Sequence, residues 1–290
     1  MLRPFESGDA PVIQMLHAAH AEADLVDVRS TVEPVLDADA IRHGMESADR
    51  AVVALNTGGN LIGWGALRSW TESDGTRVFL ADGYVAPPHR RRGLGRRLLI
   101  DAEAAAGSGM LAGNASTAQP DRAALLERNG YRYTFSMVDM EHDGSAVAST
   151  PPPEGITVRA ATVGDARALT VLSARTWAGR PFSTPTTEEW FRGWLTRSDL
   201  SLFRVAVAGD RVVGVVGASR TEIEDVEVDP DFQRRGLATA LVTRTLAALN
   251  GPVRLNTEGH DPAGARSLYE RLGFRVVREY RRYRKPAPAR

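Results

Sequence analysis

Two short stretches of the chain join arginine, glycine and an abrupt change of hydrophobic pattern in a way that suits an anion. In Val228-Asp229-Pro230-Asp231-Phe232-Gln233-Arg234-Arg235-Gly236-Leu237-Ala238-Thr239 a strand pattern stops at a proline, a basic glycine turn follows, and an apolar helical pattern starts at once. A strand-turn-helix of this kind leaves several backbone N–H groups without intrahelical partners, at the positive end of the helix dipole. Phosphate binds there readily. Gly236 tolerates positive φ and lets the backbone approach a diphosphate, and Arg234 and Arg235 add charge-assisted contacts. The second stretch is Arg90-Arg91-Arg92-Gly93-Leu94-Gly95, again just after a Val-x-Pro strand end at Val85-Ala86-Pro87. A lone turn with arginines also serves simply to cover a helix end, so the surroundings must decide. Upstream of Gly236 lie four carboxylates on one extended segment. The period of two sends Glu222, Glu224 and Val226 to one face and Asp225 and Glu227 to the other. Each alone reads equally well as a solvated strand charge; their clustering beside the turn points to one functional carboxylate.

The elements that must position these residues occur twice. Val85-Ala86-Pro87 and Val228-Asp229-Pro230 lie 143 residues apart (228 minus 85), as do Gly93 and Gly236, Leu98 and Leu241, Glu127 and Glu270, and Gly130 and Gly273. The two starts, LRPFESGDA and VRAATVGDA, are offset by 156 (Asp165 minus Asp9), so the first copy carries extra residues ahead of its turn. Internal duplication follows. The segment from Glu141 to Gly155 is poor in large apolar residues and ends in Pro151, Pro152 and Pro153, which favour an extended spacer. The expected division is therefore a first domain over 1–143, a linker over 144–155 and a second domain over 156–290. In the second copy the pattern predicts a strand at Ile156–Arg159, helices over Asp165–Trp177 and Thr187–Leu195, and a hairpin of Leu202–Ala208 with Arg211–Ser219. A strand at Glu222–Val228 and a helix from the glycine turn to Leu249 come next. Val253–Thr257, Pro262–Leu272 and Phe274–Tyr283 complete it as strand, helix and strand. The first copy follows this order less cleanly, because its fifth strand falls in the glycine- and serine-rich GSGMLAGNAST.

Composition sets outer bounds. The chain has 290 residues, formal net charge zero, 25% charged residues and no cysteine. Two domains are the natural division. Zero net charge argues against a general nucleic-acid binder, and the missing thiols exclude disulfides, thiolate metal sites and a cysteine nucleophile. No run is long and apolar enough for a membrane span, and the start MLRPFESGDA lacks the apolar core of a signal peptide, so a cytoplasmic protein is expected.

Gln233-Arg234-Arg235-Gly236-Leu237-Ala238 and Arg90-Arg91-Arg92-Gly93-Leu94-Gly95 both resemble the Q/R-x-x-G-x-G/A signature of the GNAT superfamily of N-acetyltransferases. A second hallmark follows in register as Leu268-Tyr269-Glu270-Arg271-Leu272-Gly273-Phe274, with a weaker echo at Leu125-Leu126-Glu127-Arg128-Asn129-Gly130-Tyr131. The resemblance covers nearly the whole chain, twice, and the tandem layout is similar to that of the mycothiol synthases and of several two-domain antibiotic acetyltransferases. It implies an α/β fold in each copy: a twisted, mixed sheet of six or seven strands flanked by about four helices. The sheet opens between its fourth and fifth strands to admit the pantetheine arm of acetyl-CoA. It also implies transfer of an acetyl group to a small-molecule amine, with the protein a monomer or homodimer and with no nucleic acid, membrane or metal involved.

Within that resemblance, the family's base is often a glutamate of the fourth strand, which points to Glu222 or Glu224 without separating them. A free alkyl ammonium titrates near 10, so a base is needed. Tyr269 stands where the family places the tyrosine that protonates the coenzyme A thiolate. The cofactor's pantetheine and carbonyl oxygen are expected at the backbone of Val226 and Val228, and its diphosphate at Gln233–Thr239 and at Arg90–Gly95. Where many relatives carry an asparagine before the last helix, this chain has Asp261-Pro262, a sound helix start; Asn256 on the preceding strand is a weak substitute. At the 143-residue offset Glu222 becomes Phe79, Glu224 becomes Ala81 and Tyr269 becomes Leu126. The first copy has lost the chemistry, with Asp82 its one remaining candidate base. Trp177, Trp190, Phe191 and Trp194 read either as helix-face core or as an aromatic wall for the acceptor. His17 and His20 read as an ordinary helix face, and REYRRYRKPAPAR as an outer strand with a solvated tail.

Overall fold

The structure, a computed structural model, describes residues 1–30, 32–72, 74–179, 186–260 and 264–287. In chain order the elements are β1 (Leu2–Pro4), α1 (Ala10–Ala19), α2 (Ala38–Glu46), β2 (Arg50–Leu55), β3 (Leu61–Thr71), β4 (Arg77–Val85), α3 (Leu94–Ala105), β5 (Met110–Ser116), α4 (Pro120–Arg128) and β6 (Arg132–His142). They continue with β7 (Ile156–Ala160), α5 (Ala166–Thr176), α6 (Glu188–Arg197), β8 (Arg204–Ala208), β9 (Arg211–Ala218), β10 (Ile223–Val228), α7 (Leu237–Leu246), β11 (Val253–Glu258), α8 (Ala265–Arg271) and β12 (Arg275–Pro286). The chain falls into two compact units, Met1–Met137 with Arg278–Arg290, and Val138–Val277. Among the described residues each is a sheet with four α-helices, the α/β architecture anticipated. No helix among the described residues is long and apolar enough to cross a membrane.

The two starts that repeat in sequence repeat in structure. Arg3 forks onto Asp9 at 2.8 and 2.6 Å while Asp9 accepts the Glu6 N–H; Arg159 forks onto Asp165 at 2.9 and 2.6 Å while Asp165 accepts the Thr162 N–H. Each aspartate caps the helical turn that leads into the first helix of its copy, which fixes where the chain leaves the first strand.

In the first unit β1, β2, β3 and β4 form an antiparallel ladder in that order. Strand β5 runs parallel to β4 and pairs with it only over Val78–Leu80 against Met110–Ala112. Beyond those residues the two strands part. The strand on the other side of β5 is the C-terminal one, Tyr280–Pro286 against Met110–Ser116. Arg278–Arg290, counted with the second copy by sequence position, thus builds the first unit, and Val138–His142 builds the second. The stretch of weak strand propensity is a strand after all. It is paired on both edges, and Leu126 occupies the space over Gly113, where a Cβ would lie 2.5 Å from its side chain. Packing overrides propensity there.

In the second unit β7, β8, β9 and β10 are antiparallel neighbours. Between β10 and β11 the contact reduces to one parallel bridge, Glu222 with Arg254, supported by the Arg254 N–H to Thr221 O bond of 2.8 Å. The sheet is again open between its fourth and fifth strands. Two cores flank it: one under α7 and α8 with Val216, Val228, Leu237, Leu241 and Tyr269, the other under α5 and α6 with Leu169, Phe191, Phe203, Val205 and Val215. The proline-rich segment is attached to this unit, since the Thr150 N–H donates to Thr243 Oγ1 at 2.9 Å.

Candidate active site

The glycine turn of the second unit starts with a single 3-10 turn at Pro230–Phe232, passes through Arg234 at φ +62° and Gly236 at φ +84°, and enters α7 at Leu237. The first intrahelical bond is Ala240 N–H to Gly236 O, so the N–H groups of Leu237, Ala238 and Thr239 lie in the unbonded first turn. Gln233 closes the turn onto its strand, Nε2 donating to Val228 O at 2.9 Å. The first unit reproduces this backbone, with Arg91 at φ +61°, Gly93 at φ +81°, Leu94 and Gly95 opening α3, and Arg90 Nε donating to Val85 O at 2.8 Å. The side chains differ in what they hold. Arg90 is ion-paired with Asp24, and Arg91 with Asp121 at 2.7 Å. Arg234 and Arg235 have no acidic partner among the described residues; Arg235 instead stacks over Phe232 at 5.4 Å.

The gap beside β10 is lined by backbone. The Asp229 N–H donates to Val213 O on β9. By the alternation of an antiparallel ladder, the N–H groups of Val228 and Val226 point the other way, into the opening toward β11. Asn256 stands on β11, half-buried, across that opening. Asp261-Pro262 lies outside the described residues.

A β-bulge reorders the carboxylates. Ile223 pairs with Ala218, yet Asp225 pairs with Gly217, so two residues of β10 oppose one of β9. The strict period of two therefore fails. Ile223, Val226 and Val228 pack on the α7–α8 side, whereas Glu224 reaches α6 and accepts the Trp194 indole N–H at 2.8 Å. Glu224 and Val226 do not share a face. Glu227, paired with Val215, accepts the Trp177 indole N–H at 2.8 Å on the α5 side. Glu222, just before the core-facing Ile223, stands at the bridge where β10 and β11 separate. Its carboxylate has no hydrogen-bond donor among the described residues. Burial, then the charges of Glu224 and Asp139, push its pKa up to about 7. Asp225 is raised well above the ordinary carboxylate range by burial and by Glu227.

Tyr269 sits on α8 with 6% of its surface exposed, its ring edge-on to Phe274 at 5.7 Å. Burial, and then the charge of Asp225, raise its phenol above the usual value, so it stays protonated throughout the neutral range. Its counterpart Leu126 is packed with Phe79 and Ala81 in the hydrocarbon core of the first unit. Asp82 is ion-paired with Arg122 at 2.7 Å and Arg68 at 3.7 Å. Burial alone would raise its pKa, but the two guanidiniums hold it below the ordinary range, which makes it a poor proton acceptor.

Sequence reasoning missed the two indole–carboxylate bonds and the bulge. The available signals were Gly217, a glycine inside an otherwise valine-rich strand, and two tryptophans whose N–H groups need partners once buried. The Trp194 ring packs against both Trp190, at 5.5 Å, and Phe203, at 4.7 Å.

The sequence matches the acetyltransferase (GNAT) family over residues 18–131 and again over 168–274. Among curated proteins it is 32% identical to a mycothiol acetyltransferase of Geodermatophilus obscurus, covering 92% of this chain and 91% of that one. It is 30% identical to a mycothiol acetyltransferase of Salinispora tropica, covering 90% and 88%. Among solved structures, a GCN5-related N-acetyltransferase from Sphaerobacter thermophilus shares the fold with a TM-score of 0.76 at 24% identity, over 100% of this chain and 96% of that one. With the signature turn, the opened sheet and the family match all occurring twice, the chain belongs to the GNAT family as a tandem N-acetyltransferase.

Proposed function

We propose that the second unit carries the reaction, that its acetyl donor is acetyl-CoA, and that the acceptor is a mycothiol precursor presenting a primary amine, as the names of the curated relatives suggest. The observation that carries this reading is the opening between β10 and β11. It has a phosphate turn at its mouth, inward N–H groups at Val226 and Val228 along its wall, and Glu222 with a pKa of about 7 where the strands meet. This fits a long, diphosphate-bearing thioester, since a side chain at Gly236 would meet open space and only the positive φ demands glycine there. When bound, acetyl-CoA supplies an acetyl group already activated as a thioester.

The chain's own groups do the rest. The N–H groups of Leu237, Ala238 and Thr239, with Gln233 holding the turn and Arg234 and Arg235 adding charge, bind the diphosphate. Val226 or Val228 N–H polarises the thioester carbonyl. Glu222 takes a proton from the acceptor ammonium so that the free amine can attack, Tyr269 gives its proton to the departing sulfur, and the second amine proton, released as the amide forms, returns to the tyrosine oxygen. Glu224, committed to Trp194, is a positioning residue. The first unit, with the same turn but with Phe79, Ala81 and Leu126 in place of reactive groups, holds coenzyme A without turning it over.

Thiol release from acetyl-CoA in the presence of the amine precursor of mycothiol tests this. Glu222→Gln is expected to lower kcat by about 10²–10⁴-fold, the usual weight of a general base. Full turnover in that variant would overturn the assignment.

A further inference from the structure

We propose that Trp194 is a positioning residue for the acceptor: its indole N–H, bonded to Glu224 at the β-bulge, docks α6 against β10 so that the Trp190–Trp194 ring pair walls the space in front of Glu222. This rests on the second unit being the catalytic one.

Three independent observations meet at this place. The first is the 2.8 Å bond from Trp194 Nε1 to Glu224 Oε2, which ties a helix to a strand 30 residues away. The second is the bulge itself. Without the extra residue, Glu224 would share the parity of Val226, whose side chain packs toward α7 and α8; the two-for-one pairing against Gly217 is what brings it to α6. The third is Gly217. A Cβ at that position would lie 2.5 Å from Trp194 Cη2 and 2.8 Å from Phe203 Cε1, so the indole occupies the volume a side chain would fill. Glycine weakens a strand interior unless something needs the room, and here the Trp194 ring needs it.

The arrangement has a chemical consequence. Trp190 is 51% exposed, lies 5.5 Å from Trp194 at an interplanar angle of 34°, and stands edge-on to Phe191 at 5.1 Å. An exposed indole backed by a second one offers a flat apolar face for the body of the acceptor, while the carboxylates below suit an ammonium. Glu222 is faced by Glu224 on its own strand and by Asp139 on β6; Arg254 on β11, at the bridge to Glu222, is bonded to Glu141 at 2.8 Å. Holding Glu224 in place keeps one of those negative charges beside the base.

Three variants test the inference by acceptor kinetics across pH, with acetyl-CoA saturating. Trp194→Phe keeps a ring but loses the donor. Glu224→Gln keeps an acceptor oxygen for the indole but loses the charge. Gly217→Ala touches no polar group and displaces the ring. Trp194→Phe and Gly217→Ala are each expected to raise KM for the acceptor about tenfold, the weight of one hydrogen bond to a charged group, while kcat changes less than threefold. Glu224→Gln is expected to leave KM within threefold and to move the acid limb of kcat/KM downward by about half a unit, since a like charge has gone. Trp194→Phe is expected to shift that limb the same way, as the carboxylate is no longer held. A merely packed tryptophan would leave the limb where it is. Wild-type KM and an unmoved limb in Trp194→Phe would overturn the proposal, and so would equal loss in all three variants at every pH. If a variant melts early, the Glu224→Gln profile still decides, because it preserves the helix anchor. Should Glu222→Gln retain full activity, the catalytic reading itself fails; should it abolish activity while Trp194→Phe behaves as wild type, this inference alone fails.

Discussion

Replacing Glu222 by glutamine should damage activity and improve stability, and the two effects should appear over the same pH window. The Glu222 carboxyl titrates near 7 in the folded protein against 4.5 for an exposed glutamate. Below about pH 4.5 it is protonated in both folded and unfolded chains, and its burial carries no electrostatic cost. Between about 4.5 and 7 the unfolded chain has released a proton that the native state retains, so stability falls as pH rises. Above about 7 the full penalty applies. The gap of about 2.5 units corresponds to roughly 3.4 kcal/mol, and screening at this half-buried position brings it nearer to roughly 2 kcal/mol. Glutamine has the same shape and no charge. At pH 8 Glu222→Gln should therefore melt about 4–8 °C above the wild type, at 2–4 °C per kcal/mol for a domain of this order of size. Near pH 4.5 the two should coincide. Calorimetry at pH 4.5, 6 and 8, paired with the kcat/KM profile of the wild type, checks both halves. A gain of equal size at all three pH values would refute the electrostatic origin, and a wild-type profile flat from pH 5.5 to 8.5 would refute the role of Glu222 as the base.

Tyr269→Phe should lower kcat by about a hundredfold while leaving the fold intact, because the ring-edge packing on Phe274 does not need the hydroxyl; and since the raised phenol remains protonated, no basic limb of the rate profile should be traced to it. Gly236→Ala forces a side chain into φ +84° at a cost of about 1 kcal/mol, and should weaken acetyl-CoA binding and turnover together; Gly93→Ala should weaken only a second, non-productive equivalent, read by calorimetric titration. Asp165→Asn should destabilise the second unit at neutral pH. The fork from Arg159 holds that carboxyl below its ordinary value, so its contribution is present above the unfolded pKa and disappears as pH falls through the lower folded one; melting curves at pH 7 and pH 3 should show the difference shrinking.

Much of this was legible in the sequence because it depends on backbone and spacing. The strand-proline-glycine-helix text gave both turns, and a constant offset of 143 residues identified the duplication and the loss of Glu222, Glu224 and Tyr269 equivalents in the first copy. Two features escaped, the bulge and the partner of the C-terminal strand, each decided by tertiary structure. The bulge at Glu224 inserts a residue on β10 whose local mark is Gly217 on the partner strand, so a strict period of two misassigned the faces of Glu224 and Val226. The repeat order places strand β5 in its segment despite poor propensity, and it forms there because it is paired on both edges and because Leu126 fills the space over Gly113. The C-terminal strand packs against β5, a pairing between residues far apart in the chain that composition does not encode.

The same contrast between backbone and side chain explains why the first copy shares the backbone of the glycine turn but not Glu222, Glu224 and Tyr269. A phosphate turn is made of main-chain N–H groups and two left-handed residues, so Arg90 and Gln233, different side chains, can make the same bond to the carbonyl that ends the strand. Reactive groups have no such redundancy. Phe79, Ala81 and Leu126 now share one hydrocarbon cluster, and Leu126 already fills the space that a Cβ at position 113 would need. Reinstating a tyrosine at 126 would push a larger ring and a polar hydroxyl into that cluster without a base on the neighbouring strand, which costs packing and returns no proton transfer. A single substitution is thus uphill in stability before any gain in function, so on the proposed reading the first unit's own core keeps reactive groups from returning to these positions.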